Sequence, residues 1–505
     1  MPSTLLHLAR QSSFPTIQSL TGDALPKLTG PGDLFSFNLM QKLRVSSNGR
    51  FLIHDDGSPF YWFGDTAWEL FHRASREDAE RYLAKRASQR FSLIQAVVLA
   101  EEDGIRAPNA YGQLPLIDED PAKPNEKYFC HVDWIVRKAN ALGLFLGMLP
   151  TWGDKVGHTH GNGPKIFTES NASAYGQFLG ERYREADLVW IIGGDRTVDD
   201  REQFEIWRAL AAGLRAGDHG NHLLTFHPRG GDDLISTSSL TFPNSDPTLD
   251  FNMRQNGHFD TTKTWARISA DYEKTPIRPV LDGEPLYEDH PIGFRSVDHG
   301  YSNAHDIRRF LYWDLFAGAF GHTYGHHSVW QMHDPNRGEG VNLPINFWYD
   351  AIDSPGANQV RHARALLESR PFLTRIPDNS LIAVTSVRNA VPGAGAKYLN
   401  ATRDGEGSYG MVYLAASRPF VFDPGKLSGD SFHFWWFDPR TGTNLDLGNL
   451  ARAWRYDVTP PLVGENLDWV LVCDDSGRTF LPPGLGETRI LADSGRINPR
   501  SGVPS

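Results

Sequence analysis

Short apolar runs alternate with amphipathic stretches over the first three quarters of the chain. Phe60–Asp65, Ser92–Leu99, Leu144–Leu149, Leu188–Asp195, His222–His227, Leu249–Met253, Pro279–Glu284 and Ala317–Gly325 read as strands. Most are apolar at consecutive positions, as expected of parallel strands covered on both faces. Between them, Arg76–Arg90, Val132–Leu142, Ala172–Glu185, Arg201–Ala216, Thr261–Glu273 and Ala304–Phe316 have helical spacing, the first with Ser75 as its cap and acids in its first turn. From Phe60 to Gly318 is about 258 residues, against roughly 250 for eight strand–helix units. The expected fold is therefore α/β, a (β/α)8 TIM barrel followed by a small antiparallel β-sandwich. Upstream, Leu43–Ile53 carries the Asn48-Gly49 turn of a hairpin and Asp55-Asp56-Gly57 a second turn, a device suited to plugging the barrel base. Beyond the helix Gln359–Ser369, short alternating runs (Gly410–Ala415, Phe432–Phe437, Leu467–Val472) are separated by turn dipeptides such as Asp438-Pro439 and Thr441-Gly442, the pattern of a sandwich. The expected division is an N-terminal arm at 1–40, a barrel at 41–375 and the sandwich at 376–505. No flexible linker precedes the sandwich, which suits a brace better than an independent module.

Composition narrows the chemistry. Fourteen Trp and 12% aromatic residues supply more flat apolar faces than a core of this size requires, and such faces stack on sugar rings. The net charge of −11 excludes a basic footprint for nucleic acid or an anionic membrane. Cys130 and Cys473 form no CxxC pattern, so neither a disulfide framework nor a structural zinc site is expected. The opening lacks a basic region followed by an apolar run, and no eighteen-residue apolar segment occurs, so no signal peptide or membrane span is read in the chain as given. Its compartment, cytoplasmic or secreted after trimming, is left open, and no feature sets an oligomeric state.

Two acids stand at ends of apolar strands: Asp195 in Ile191-Ile192-Gly193-Gly194-Asp195 and Glu284 in Leu281-Asp282-Gly283-Glu284. In a barrel these are strands four and seven. One isolated acid there is more often a helix cap or a rim ion pair, but two facing acids are what glycosidic bond cleavage requires. One delivers a proton to the leaving oxygen and the other faces the anomeric carbon. Asp282 competes with Glu284, because strand alternation puts both on one side if the strand runs that far. Asp65, after strand one, is a candidate acceptor for sugar hydroxyls, with helix capping the alternative. Gln95 interrupts an apolar strand and needs a polar partner. Trp68 and Trp152 are candidate stacking platforms, with core packing the alternative, while His227, Asn252, His322 and Tyr324 are strand-end candidates for hydrogen bonds to sugar or to the acids. His326 and His327 add to the histidines near strand ends. His158-Thr159-His160 invites a metal reading, but it follows strand three, and no HExxH helix exists. Neither a metal nor any other cofactor is expected. Gly161-Asn162-Gly163 and Arg229-Gly230-Gly231 read as turns, and no phosphate-loop pattern occurs.

The runs GDTAWELFHR (64–73), IQAVVLAEEDG (94–104), PNEKYFCHVDWIV (124–136), LPTWGDKVG (149–157), IIGGDR (191–196) and DGEPLYE (282–288) together resemble the apiosidase-like glycoside hydrolases. The resemblance spans roughly residues 40 to 480. It implies a (β/α)8 barrel followed by a β-sandwich of the collagen-binding type, and removal of terminal apiose from plant polysaccharide side chains or glycosides. It further implies Asp195 as acid/base and Glu284 as nucleophile. The chain offers Gly-Asp where wider barrel glycosidases most often carry Asn-Glu at strand four. The shorter side chain leaves open the separation of the carboxyls, and hence whether configuration is retained. The alternatives are an endoglucanase-like enzyme on the same barrel, a carbohydrate-binding or adhesion protein without activity, and a metal-dependent hydrolase.

Overall fold

The computed structural model describes residues 40–157, 161, 163–231, 235–383, 398–485, 488–489 and 495–500. The 1–39 arm and the His158-Thr159-His160 motif lie outside the described residues, as does Asn162. A two-stranded hairpin, β1 (Leu43–Val45) and β2 (Leu52–His54), precedes the barrel. The barrel strands are β3 (Trp62–Thr66), β4 (Leu93–Leu99), β5 (Phe145–Thr151), β6 (Leu188–Gly193), β7 (Leu224–His227), β8 (Asn252–Arg254), β9 (Val280–Asp282) and β10 (Gly321–Tyr324). They form one sheet in the order β7-β6-β5-β4-β3-β10-β9-β8, parallel throughout. The seam between β7 and β8 is bridged by Asp250 N donating to Leu224 O at 2.9 Å and Thr225 Oγ1 donating to Phe251 O at 2.8 Å. Every residue of all eight strands is buried.

The covering helices are α1 (Leu70–Arg73), α2 (Arg76–Ser88), α3 (Glu126–Ala141), α4 (Glu169–Tyr183), α5 (Arg201–Asp218), α6 (Ser238–Thr241), α7 (Thr264–Tyr272), α8 (Ser296–His299) and α9 (Ala304–Phe316). The short α10 (His327–Trp330) and α11 (Trp348–Ala351) follow, and then α12 (Pro355–Glu368). Reciprocal capping boxes start α2 (Ser75 with Asp78), α4 (Thr168 with Asn171) and α9 (Asn303 with Asp306). The hairpin covers the amino-terminal end of the strands. Phe51 packs on Phe372 at 4.9 Å, and His54 and Phe60 contact Phe145 at the start of β5. The carboxyl-terminal end is left to the loops.

The C-terminal region forms a seven-stranded and a three-stranded sheet. Its longer strands include Tyr409–Leu414, Ser431–Phe437 and Trp469–Asp475. Alternate residues of these strands face two ways. Val412, Leu414, Phe434, Trp436 and Leu471 fill the sandwich core, whereas Met411, Tyr413, Trp435, Phe437, Val470 and Val472 join the barrel core. Two bidentate pairs cross that boundary, Arg308 with Asp468 (both 2.7 Å) and Arg370 with Asp474 (2.8 and 2.6 Å). Tyr398 stacks on Trp265 at 3.7 Å, and Tyr413 on Tyr312 at 4.8 Å. An apolar sheet face closed by desolvated ion pairs is an intramolecular interface, not a tethered module.

Candidate active site

The chain leaves β6 through three consecutive residues with positive φ: Gly193 (95°), Gly194 (126°) and Asp195 (48°). A β-carbon at Gly193 would run into His227 O, and one at Gly194 would sit 2.8 Å from the Trp152 ring. Only glycine permits this turn, and the turn lifts Asp195 off the strand end toward the barrel axis. Asp195 N then donates to His227 Nδ1 at 3.3 Å, while Asp195 Oδ1 accepts from Gly230 N at 3.3 Å and Oδ2 from Arg196 at 3.1 Å. The other ring nitrogen, His227 Nε2, lies 3.0 Å from Glu284 Oε2. No hydrogen bond joins these two atoms, so the contact acts through their charge and proximity. Glu284 Oε1 is met by His258 Nε2 at 3.1 Å.

These surroundings push the two carboxyls apart. Burial raises the pKa of Asp195, and the nearby charge of Glu284 raises it further, against the pull of Arg196 and His227. Its side chain is 35% exposed, so this is the desolvation of a recess open to solvent. Burial alone would raise Glu284 too. The contacts from His227 and His258 outweigh it and hold Glu284 well below the usual carboxylate range. One acid is thereby biased to keep a proton and the other to stay ionised, the arrangement that assigns acid and base roles in a two-carboxylate site.

Both acids line one pocket of about 400 Å³, within the size range of small-molecule sites. Trp68 and Trp152 form part of its wall, packed on each other at 5.1 Å and on His227 at 5.5 and 5.7 Å. Both are almost fully buried, which leaves little ring surface open for stacking. Glu101 and Glu102, just past β4, are also in the lining. Burial pushes Glu101 up to about 8 despite Arg196, which donates to its Oε1 at 2.8 Å and so bridges Glu101 and Asp195.

Several expected contacts lie elsewhere, and these expectations are corrected. Asp65 faces the helix layer, paired with Arg86 at 2.5 Å and accepting from Tyr82 at 2.5 Å; it neither meets the pocket nor caps α1, whose cap is Glu69. Asn252 is buried at the start of β8, donating to Asn244 at 3.0 Å. Tyr324 donates to Glu288 at 2.7 Å, away from the pocket. Gln95 crosses the barrel interior and donates to Gly283 O at 2.9 Å, so it holds the residue before Glu284 and lies under the pocket floor. His326 pairs with Asp289 at 3.2 Å, and His327 with Asn342 O at 3.0 Å. Asp282 is not on the side of Glu284: it points into the helices beside Asp314 and His322, with His322 Nδ1 2.9 Å from Asp314 Oδ2. Burial and the charge of Asp314 lift Asp282 to about 7, and burial lifts Asp314 to about 8 and lowers His322 to about 4. These three offer ligand atoms within 4.8 Å of one another and could hold a cation among the described residues, but away from the pocket.

The family model for the apiosidase-like catalytic domain matches residues 46–374. The chain belongs to the apiosidase-like glycoside hydrolases. Residues 376–474 of this hydrolase match the model described as "Putative collagen-binding domain of a collagenase". A glycoside hydrolase family 5 protein from Bacteroides vulgatus is 34% identical, with 88% of this chain and 97% of that one covered at a TM-score of 0.78. A second solved glycoside hydrolase is also 34% identical, covering 87% and 98% at 0.77. A search of curated proteins finds no match. The two carboxyl-bearing strand ends of this apiosidase-like hydrolase were visible in its sequence, but Glu101, Arg196, His258, Tyr287 and Trp330 were not. Glu101 had one signal, an acid immediately past a buried strand. His258 had none, since it follows β8 in an ordinary polar loop.

Proposed function

We propose that this glycoside hydrolase is exo-acting and retaining, with Glu284 as nucleophile and Asp195 as acid/base, and that its glycosyl unit is apiose or a close relative. The observation that carries this is the pair of oppositely biased carboxyls on one pocket floor. The Asp195 carboxylic acid gives its proton to the glycosidic oxygen as Glu284 attacks the anomeric carbon, so the C–O bond breaks and a glycosyl ester forms. Asp195, now a carboxylate, takes a proton from water. The oxygen of that water displaces Glu284, and the sugar leaves. His258 and His227 keep Glu284 ionised and oriented, and Trp68 and Trp152 in the pocket wall exclude water beside it. A recess of about 400 Å³ suits one terminal sugar better than a long cleft would. Membership of the apiosidase-like family supports apiose as the glycosyl unit. The test is a panel of 4-nitrophenyl and natural glycosides with product anomers followed by NMR. Cleavage of apiosides with the β-configuration first retained supports the reading, initial inversion overturns the nucleophile, and mid-chain cleavage overturns the exo assignment.

A further inference from the structure

At the pocket mouth two phenylalanine rings stand half in solvent, Phe259 at 47% and Phe294 at 53% exposure, and both line the pocket. Exposed rings of this size are normally withdrawn into the core. Phe294 is also held at φ 63°, next to Gly293 at 61°. A left-handed backbone is strained for a bulky residue, and such strain gathers at ligand sites. Three contacts hold the ring there: Gly293 N donates to His258 O at 2.7 Å, Phe294 N to Pro291 O at 2.8 Å, and the ring stands edge-on to His258 at 5.6 Å. A β-carbon at Gly293 would sit 2.8 Å from the Phe259 ring, so the Phe294 loop packs against Phe259 at this glycine. The apolar strip continues onto the next loop. Asn342 lines the pocket, Leu343 beside it is exposed, and Tyr301 of the Phe294 loop donates to Leu343 O at 3.1 Å. The charged groups on this loop are already paired, Arg295 with Asp298 at 2.5 Å.

We propose that Phe259 and Phe294 form the aglycone platform and that the aglycone is a flat, uncharged aromatic ring, making the substrate an aromatic glycoside and not a polysaccharide branch. This rests on the glycosidase reading above: with the sugar against Asp195 and Glu284, its substituent must leave through the mouth. A ring face can stack on a sugar as well, but a polysaccharide branch also presents hydroxyls that need partners, and the exposed side chains here, Phe259, Phe294 and Leu343, carry no hydrogen-bonding group.

The test compares wild type with Phe294→Ala and Phe259→Ala on one glycosyl unit carrying either a methyl or a 2-naphthyl aglycone. The ratio of kcat/KM for naphthyl over methyl should fall about tenfold in each variant. Binding of 4-methylumbelliferone to wild type and to each variant, followed by saturation-transfer NMR, needs no turnover. It should weaken at least fivefold on loss of either ring. Probe binding that depends on the rings, with no glycoside cleaved, would uphold the platform and sink the glycosidase reading. Cleavage with an unchanged ratio, or preference for a pectic oligosaccharide lacking any aromatic group, would sink the platform alone.

Discussion

Replacing His258 with Phe isolates the hydrogen bond that keeps Glu284 ionised. The ring is preserved, so packing on His290 at 4.0 Å and Tyr287 at 4.7 Å survives, while the donor 3.1 Å from Oε1 is removed. A hydrogen bond to a charged acceptor contributes about 1.5–3 kcal/mol, and each pKa unit is about 1.36 kcal/mol. With Glu284 only 7% exposed, solvent replaces little of what is lost, so its pKa should rise by about one to two units. Activity requires Glu284 ionised and Asp195 protonated, so kcat/KM falls below the first pKa and above the second. The sign follows: the folded-state pKa of Glu284 is depressed, its removal from that state raises it, and the acid limb of the profile moves up by about one to two pH units. The alkaline limb moves little. Initial rates on a 4-nitrophenyl glycoside, quenched into base from pH 3 to 10, measure the alkaline limb of both proteins and show the acid limb of the variant as it moves up into that range. His258→Gln, which can still donate, should return the acid limb toward wild type. An acid limb that stays put in His258→Phe while the whole profile drops would show His258 to be packing only, would refute its part in holding Glu284 ionised, and would leave that task to His227.

Other outcomes follow from the same geometry. Asp195→Asn should lower kcat about 10²- to 10⁴-fold on an alkyl glycoside but far less on a 2,4-dinitrophenyl glycoside, whose leaving group needs no proton; equal losses on both would remove Asp195 as the acid. Glu284→Gln should abolish turnover on both while sugar binding by calorimetry persists. Arg86→Met strands Asp65 as an unpaired buried charge and should cost about 3–5 kcal/mol of stability, read as a lowered denaturation midpoint; an unchanged midpoint would mean that Asp65 is not held by that pair. Arg308→Ala does the same to Asp468 at the boundary with the sandwich and should lower the barrel's melting as well as the sandwich's, in one transition. Two separated transitions would mean that the sandwich is not a brace.

The barrel was legible because parallel strands buried on both faces leave continuous apolar runs, and all eight were found where the pattern placed them. Element edges were less legible, because caps decide them. The helix expected from Val132 starts six residues earlier at Glu126, where Asn125 accepts from Lys127 N at 3.1 Å, and the helix expected from Gln359 starts at Pro355, a residue fit for a first turn. The fifth and sixth strands are shorter than expected: His222–His227 gives β7 (Leu224–His227), and Leu249–Met253 contributes only its end to β8 (Asn252–Arg254), while Leu249 and Phe251 pack in the core. Which sandwich residues face the barrel could not be read at all. Met411 and Val412 are equally apolar, and only the docked sheet tells them apart.

The site shows where strand parity stops working as an argument. Side chains two apart share a face only while the ladder holds the pleat. In β9 the ladder ends at Asp282, paired with Arg254 on one side and His322 on the other. The next residue is Gly283, where a β-carbon would meet Met253 Sδ at 2.5 Å, so the backbone turns inward against β8 there. Asp282 Oδ1 accepts from Glu284 N at 3.2 Å across that turn. The acid in the helix layer thus anchors the backbone of the acid in the pocket, and two residues with the same expected orientation take opposite ones. Asp195 obeys the same rule through Gly193 and Gly194. At both strand ends glycine is what converts a buried strand into a carboxyl aimed at the barrel axis. The surest sequence signal in this chain is therefore an apolar run, then glycine, then an acid, and not the parity of the acid within the strand.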